Sequence, residues 1–393
     1  MKKAVLLLLT AALLLACFTG CAAKPETPAP ETAGQNTDEP ADMEKITITD
    51  LAGETYTFDK PLEKVLLQWS GSGGPFMTMA ALLGDEVCDY IAGMDNGLPQ
   101  NRKDMYDQYI KTLPQLADVP DVGNVDNGDF NTEMAIASGA DALIAPLGAQ
   151  TALSEDIQPK LEAAGMPVIY MDYHAETMEN HIHSTELLGT LFGKEERAQE
   201  LVDFYMEHMN RINEGVAEML KTNERPTVYI ECASKGASEL GNSYGNNLMW
   251  GGMVYNMGGT SIADGIVEKY APLEAEYVLS QNPGKIIFTG SIWEGSDDSA
   301  RMGFQATEED SRARVAAILK RPGWSELDAV KNGEIYVVHH AVGRELYDCA
   351  SMEAIAKYIW PDEFTDIDPT ATLKEYYDRF LPFDFGGLWY MKY

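Results

Sequence analysis

Cysteine and basic residues are scarce in this chain of 393 residues. Lys and Arg together number 29 against 62 Asp and Glu, so the formal charge at pH 7 is −33. Nucleic acid and anionic lipid surfaces are poor partners for a chain this acidic. Cys88, Cys232 and Cys349 lie far apart beyond residue 45. Their odd number and wide spacing argue against a disulfide framework or a Cys-x-x-Cys metal site, so we expect small buried side chains.

The patterns of several functional classes are also missing. Beyond the N-terminal segment, no apolar run reaches the roughly 20 residues that a membrane-spanning helix needs. The glycine-rich stretch 70–74 lacks the Gly-Lys-Ser/Thr of a nucleotide-binding P-loop. No paired-carboxylate, Cys-His or Ser-His-Asp arrangement is evident from spacing. These absences give little support to an enzyme, and we expect no cofactor.

The N-terminal segment indicates export. Two lysines precede an apolar run at 4–18, and the tetrapeptide Phe-Thr-Gly-Cys ends at Cys21. This pattern predicts a signal peptide over residues 1–20 and a lipid-modified Cys21, with Cys17 as the alternative anchor. Removing the signal peptide with its two lysines would change the formal charge from −33 to −35. A secreted protein without a lipid and an uncleaved anchor are further alternatives, and all of them place the folded part outside the cytoplasm.

An α/β fold is predicted after a tether at 21–45 that is rich in Pro, Glu and Thr. A hairpin is expected at 46–58. Short apolar strands then alternate with helical stretches, a pattern typical of mainly parallel sheets. The predicted strands lie at 65–67, 90–92, 142–145, 168–171, 228–230, 285–288 and 335–338. The predicted short helices lie at 76–83, 133–137 and 157–164.

A long helix is predicted at 195–220, where apolar residues keep helical spacing and proline is absent. Gly193 would end a preceding helix at 178–191. A helix of about 26 residues spans roughly 39 Å, which is enough to brace two lobes. The tail at 361–393 is expected to pack on the second lobe. The predicted domains are a first α/β lobe at 46–178, a linking helical segment at 179–222 and a second α/β lobe at 223–393.

Several short motifs follow one another in a characteristic order. Ile-Thr-Asp-Leu-Ala-Gly lies at 48–53, Ala-Gly-Met-Pro-Val at 164–168, and Trp324 is followed by Ala-Val-Lys-Asn-Gly-Glu-Ile-Tyr at 329–336. In this order the chain resembles the substrate-binding lipoproteins of ABC importers for ferric siderophores, haem and cobalamin. The resemblance covers about residues 46–360. It implies two α/β lobes joined by a rigid helix, with the ligand in the cleft between them.

The resemblance also implies partners. An ABC permease with its ATPase would receive a ferric siderophore or a related metal chelate from a monomeric, membrane-anchored binding protein. In this family one glutamate on each lobe pairs with arginines of the permease. By their place in the matching motifs of this sequence, these glutamates are Glu133 and Glu276, with Glu274 as a possible substitute for Glu276. Helix-start glutamates that interact favourably with the helix dipole are the alternative interpretation.

Candidate ligand contacts lie in loops that follow predicted strands, since ligands bind at the carboxyl edges of such sheets. Aromatic rings offer flat surfaces to a macrocycle or a catechol, and Arg pairs with an anionic chelate through a fixed fork. This chemistry suits a siderophore. Haem, cobalamin, a bare metal ion and an exported enzyme acting on metal complexes stay as alternatives. The candidate residues are Trp69, Ser70, Asp95, Tyr173, His174, Tyr244, Trp293, His340, Arg344 and Tyr347.

Three histidines, His174, His181 and His183, are close in sequence. Zn²⁺ or Mn²⁺ would need such imidazoles together with a carboxylate. However, positions 181 and 183 point to different faces of a helix. We therefore predict no metal site here and expect a cluster at the start of a helix, although His174 alone could still reach the cleft or ligate haem iron.

Overall fold

The computed structural model describes residues 45–393 except Glu176 and Glu294. The predicted signal peptide, both candidate anchors, Cys17 and Cys21, and the predicted tether up to residue 44 lie outside the described residues. Residues Glu44–Tyr393 form one compact unit.

The strands and helices follow the alternation that the sequence predicts. The strands are β1 Ile46–Thr49, β2 Thr55–Phe58, β3 Val65–Leu67, β4 Ile91–Met94, β5 Ala142–Pro146, β6 Val168–Met171, β7 Thr227–Cys232, β8 Asn242–Tyr244, β9 Thr260–Ser261, β10 Tyr270–Pro272, β11 Lys285–Gly290, β12 Ile335–His339 and β13 Tyr390–Lys392. The α-helices are α1 Phe76–Leu83, α2 Gly97–Asn101, α3 Lys103–Thr112, α4 Thr132–Ala137, α5 Gln150–Ser154, α6 Ile157–Ala163, α7 Met178–Phe192, α8 Glu195–Met219, α9 Met249–Asn256, α10 Ala275–Gln281, α11 Glu308–Ile318, α12 Asp328–Lys331, α13 Cys349–Ile359 and α14 Pro369–Phe380. Short 3₁₀ turns lie at Gly84–Tyr90, Pro114–Asp118, Leu147–Ala149, Ala233–Lys235, Trp324–Glu326, His340–Gly343 and Leu346–Asp348.

The first sheet has the strand order β4-β3-β5-β6, and its strands are parallel. All three residues of β3 are fully buried, as expected for a parallel sheet that is covered on both faces. The predicted hairpin is confirmed, because β1 and β2 pair antiparallel. The hydroxyl of Tyr56 donates to the carbonyl oxygen of Val168 at 2.9 Å and attaches this hairpin to β6.

The second sheet has the order β13-β12-β11-β7-β9. Its strands are parallel except β13, which pairs antiparallel with β12. A separate antiparallel ribbon joins β8 to β10. The predicted α/β class with mainly parallel sheets is therefore confirmed.

The two longest helices join the sheets. Gly193 adopts a left-handed conformation with φ of 61° and ends α7, as the sequence predicts. α8 has 25 residues, and the two helices approach closely at Gly189, where any Cβ would collide with that of Ala198. Phe204 and Tyr205 of α8 belong to one hydrophobic cluster that includes strand residues of both sheets. The two lobes therefore share a core through α8.

The C-terminal tail contacts both lobes, so the expectation that it packs on the second lobe was incomplete. β13 extends the second sheet, as expected. However, the hydroxyl of Tyr377 in α14 lies 3.6 Å from the sulfur of Met105 in α3, and the ring of Phe383 lies 4.7 Å from that of Tyr109. The connection that contains α3 comes from the first sheet, and its apolar side chains are covered by the tail.

The proposed lobe boundaries stay predictions, because the shared core continues across them. Of the cysteines in the described residues, Cys88 and Cys349 are buried as expected, whereas Cys232 is half-buried. No helix in the part of the chain that the structure describes combines the length and apolar character needed to cross a membrane.

Candidate ligand-binding site

A cavity of about 560 Å³ lies between the two lobes. Strands of both sheets end at this cavity, so loops after strands supply most of its walls. Trp69 follows β3, Asp95 follows β4 and His174 follows β6 on one side. Trp293 follows β11 and His340 follows β12 on the other side. The volume is within the range of roughly 300–1,000 Å³ that is usual for small-molecule sites.

Seven of the ten predicted ligand contacts line this cavity. They are Trp69, Asp95, His174, Tyr244, Trp293, His340 and Arg344. Their side chains come from both lobes, which is the arrangement that a ligand held between lobes requires. Their role in binding stays a prediction.

Three predicted contacts lie behind the cavity wall. Ser70 is buried, and its hydroxyl lies 2.8 Å from the carbonyl oxygen of Asp95. Tyr173 is buried with its hydroxyl 2.8 Å from that of Thr185. Tyr347 accepts a hydrogen bond from Nη2 of Arg102. Each of these residues follows a strand, but its side chain turns into the protein and not into the cavity.

Aromatic rings from both lobes border the cavity. The indole of Trp69 and the imidazole of His174 meet edge to face, with centroids 5.5 Å apart. On the second lobe, the rings of Trp293 and His340 meet in the same way at 5.4 Å. Tyr270, which the sequence analysis missed, is half-exposed at the cavity and pairs with Tyr244 through the β8–β10 ribbon. Polarised aromatic surfaces of this kind can stack on a flat ligand.

Both cavity histidines are held neutral. Burial lowers the pKa of His174 to about 3, and the charges of Arg344 and Lys269 lower it further. Burial also lowers the pKa of His340 to about 3, with additional effects of Arg344 and Arg102. Nδ1 of His340 lies 2.7 Å from the hydroxyl of Thr289. Neutral imidazoles can accept or donate one hydrogen bond to a ligand, while the charged groups that line the cavity are Arg102, Arg344 and four aspartates.

A buried ion pair crosses between the lobes at the base of the cavity. Nη1 of Arg102, on the first-sheet side, lies 3.2 Å from Oε1 of Glu345, which follows β12, and both side chains are 1% exposed. The same carboxylate oxygen accepts the backbone N–H of Gly73 at 3.3 Å. Burial raises the pKa of Glu345 to about 7, although the charge of Arg102 opposes this shift. Arg102 had no signal in the sequence, because its position depends on how the α2–α3 connection packs on the second lobe.

The three clustered histidines do not converge. His181 is buried and lies 3.1 Å from the carbonyl oxygen of Tyr173, while His183 lies 2.9 Å from that of Thr49. Nδ1 of His181 is 3.4 Å from Oδ2 of Asp348. This contact is not an ion pair, because burial lowers the pKa of His181 to about 4 and raises that of Asp348. Across the described residues, no group of three or more His, Cys, Asp or Glu is arranged to hold a metal ion.

The two glutamates proposed for permease docking lie outside the cavity. Glu133 is exposed in the first turn of α4, and Glu276 is exposed in the first turn of α10. α4 leads into β5 and α10 leads into β11, so the two glutamates have corresponding places in the two lobes. Their docking role stays a prediction.

A cavity between two α/β lobes, bordered by the strand ends of both sheets, defines a two-lobed ligand-binding protein. The family model described as periplasmic binding protein matches residues 92–342. The chain belongs to this family, which confirms the resemblance seen in the sequence.

Similar proteins share the architecture. A crystal structure of FepB, a TroA-like periplasmic binding protein from Veillonella parvula, is 42% identical with a TM-score of 0.84, and the match covers 88% of this chain and 99% of that one. MolA from Haemophilus influenzae, solved with molybdate, is 17% identical with a TM-score of 0.64. This match covers 87% of this chain and 99% of MolA, and it shows a similarity of fold alone. The ABC transporter substrate-binding lipoprotein YvrC of Bacillus subtilis is 24% identical over 368 residues, which are 91% of this chain and 98% of YvrC.

Proposed function

We propose that this protein captures an iron chelate of the siderophore type outside the cytoplasm and delivers it to the permease of an ABC importer. The observation that carries the proposal is the composition of the cavity. Aromatic rings from both lobes surround a space next to Arg344, which is a set of contacts suited to an anionic metal chelate that carries flat rings.

Charge supports an anionic ligand. The whole chain carries a formal charge of −33, yet the charges that act on the two cavity histidines are those of Arg344, Arg102 and Lys269. Four aspartates also line the cavity, and each accepts a hydrogen bond from an N–H group of the protein. Asp126 accepts from the indole N–H of Trp69 at 2.7 Å, and Asp95 accepts from the backbone N–H of Gly97 at 2.6 Å. Arg344 lines the cavity, and we propose that its positive charge faces a ligand carboxylate or catecholate.

The names of similar proteins support the general part of this proposal, which is that the chain is the substrate-binding component of an ABC transporter. YvrC bears this description and is called a lipoprotein. Solved relatives include a periplasmic haem-binding protein and a protein of an Fe³⁺-hydroxamate transport system. MolA binds molybdate, but a cavity of about 560 Å³ is far larger than one such oxyanion would fill.

Delivery rests on the two exposed glutamates and on the N-terminal cysteine. We propose that Glu133 and Glu276 pair with permease arginines, since one carboxylate on each lobe fixes orientation and speeds encounter. Lipid attachment at Cys21, or at Cys17, would keep the folded unit at the outer face of the membrane. Both roles come from the family resemblance and from the sequence of the N-terminal segment.

Native mass spectrometry of Glu44–Tyr393, the compact unit, tests the ligand class. The protein is mixed with ferric siderophores, haem, cobalamins, molybdate and bare divalent metals. We expect a one-to-one adduct whose mass is that of an intact ferric chelate. Adducts only with haem, cobalamin, molybdate or a bare metal would replace the siderophore proposal by that ligand, and turnover of a bound chelate would favour an enzyme.

A further inference from the structure

Trp69 has an unusual backbone conformation for a large side chain. Its φ of 58° lies in the left-handed region, which among non-glycine residues of the described chain it shares with Met249 and Asn282. This conformation costs an L-residue roughly 1–2 kcal/mol, so the surrounding structure must impose it. The loop after Trp69 turns back sharply: its carbonyl oxygen accepts the N–H of Ser72 at 3.2 Å, and a Cβ on Gly74 would lie 2.5 Å from the same oxygen.

The indole ring of Trp69 is held at three places. Its Nε1–H donates to Oδ2 of Asp126 at 2.7 Å. At the other end of the ring, a Cβ on Gly148 would lie 2.8 Å from Cη2, so only glycine leaves room for this ring position. His174 meets the ring edge to face at 84°. The half-buried indole lines the cavity, so the surface that these contacts leave uncovered borders the ligand space.

The aliphatic stem of an arginine lies near the edge of this indole. A Cβ on Gly73 would be 3.6 Å from Cε3 of Trp69 and also 3.6 Å from Cβ and Cδ of Arg344. The ring edge and the arginine stem therefore approach the same point. Trp293, from the second lobe, borders the same cavity. A flat conjugated ring with a negative charge close to it would match both Trp69 and Arg344.

We propose that Trp69 is a preset stacking surface that selects an aryl chelate of the catecholate type over an aliphatic hydroxamate, and that Asp126 and Gly148 are its positioning residues. This inference rests on the proposed function and narrows its ligand class. A ring already fixed in place loses little freedom on binding, so its stacking contributes more fully to affinity. An aliphatic chelate of the same charge would gain the interaction with Arg344 but not the stacking.

Substitutions at Gly148 and Asp126 test whether the position of the Trp69 indole matters, whereas a substitution of Trp69 itself tests whether the ring is needed at all. Gly148 and Asp126 are both exposed, and the melting temperature of each variant checks that the fold is kept. Gly148→Ala must move the indole of Trp69. Asp126→Ala removes the acceptor of the indole N–H, whereas Asp126→Asn keeps an acceptor oxygen in place. Gly386→Ala is the matched control, because a Cβ there meets nothing within 4 Å. Trp69→Leu removes the ring.

The measurement is the ratio of dissociation constants for two probes, the ferric complex of 2,3-dihydroxybenzoate, which is anionic, and ferrioxamine B, which is cationic. Because this difference in charge is the same for every variant, the change of the ratio from parent to variant reports the stacking, with melting temperature as the fold control. We expect the parent to prefer the catecholate, and Trp69→Leu, Gly148→Ala and Asp126→Ala to reduce this preference by about three- to tenfold, the size of an aromatic contact. Asp126→Asn and Gly386→Ala should keep the parent ratio.

Two results would overturn the inference in different ways. A parent that binds ferrioxamine as well as the catecholate, or variants that keep the parent ratio, would remove the stacking role while leaving chelate capture intact. A parent that binds neither probe nor any other ferric chelate would overturn the proposed function and this inference with it.

Discussion

At the scale of single residues, Arg344 and His340 stand at the two ends of the short turn after β12 and both line the cavity. We expect Arg344→Ala to weaken chelate binding by about 10- to 100-fold, because a charge-assisted hydrogen bond contributes roughly 1.5–3 kcal/mol. His340→Ala should weaken binding less, because its imidazole is neutral. Isothermal titration measures both. Arg211→Ala, an exposed arginine paired with Asp366, is the control, and equal affinity in all four proteins would refute the cavity assignment.

His181 makes stability depend on pH. Burial lowers its pKa to about 4 in the folded protein, against about 6.5 when unfolded. Between pH 6.5 and 4 the unfolded chain therefore binds a proton that the folded protein does not, so acid destabilises the fold. His181→Gln removes this contribution. The difference in free energy of unfolding between parent and variant should therefore shrink by up to about 1.4 kcal/mol per pH unit below pH 6.5.

Urea unfolding at pH 7, 6 and 5 measures this effect. Leu188→Val in the same helix is the control, since it removes packing but no titrating group. Its free energy of unfolding, plotted against pH, should run parallel to that of the parent. A parallel plot for His181→Gln as well would show that His181 does not titrate as its burial requires.

Some site residues could be predicted from sequence and others could not, for a physical reason. Trp69, His340 and Arg344 follow buried strands, and strand ends of parallel sheets meet at one edge. Tyr347 also follows a strand, yet its side chain turns inward to Arg102. Arg102 itself lies between two short helices, where no periodic pattern indicates which lobe it contacts.

At the scale of elements, helices with strong local signals were predicted nearly to the residue. α8 ends at Met219 against a predicted end at 220, and Gly193 ends α7 in the left-handed conformation. The contact of the C-terminal tail with α3 could not be predicted, because it joins segments more than 270 residues apart that carry no shared pattern. Local structure follows local sequence, whereas packing between distant elements does not.

The docking prediction concerns Glu133 in α4 and Glu276 in α10. We expect Glu133→Ala combined with Glu276→Ala to abolish chelate uptake by cells while leaving chelate affinity unchanged, since both side chains lie outside the cavity. Uptake of a radiolabelled ferric chelate measures the first property and titration the second. Glu196→Ala, an exposed glutamate in the first turn of α8, is the matched control. Uptake at the parent rate in the double variant would rule out the docking role.

At the scale of the whole molecule, the buried pair of Arg102 and Glu345 ties the lobes together. Removing one partner of a buried pair costs about 3–5 kcal/mol when the other must stay charged. We expect Glu345→Leu to reach this cost, because Arg102 cannot lose its charge. Arg102→Met should cost less, because Glu345 has a pKa of about 7 and can bind a proton.

Denaturant unfolding of both single variants and of the double variant at pH 7 measures these costs. The double variant should be more stable than the sum of the single effects implies, since no buried charge is then left alone. Equal costs for the two single variants, or strict additivity, would show that the lobes are not held by this ion pair.

Anomalous diffraction at the iron edge, from crystals grown with a ferric catecholate, tests chelate binding in the cavity most directly. We expect one iron peak in the cavity between the lobes, with the chelate against Trp69 and its charge next to Arg344. An iron peak elsewhere on the protein, or iron bound without its chelate, would contradict it.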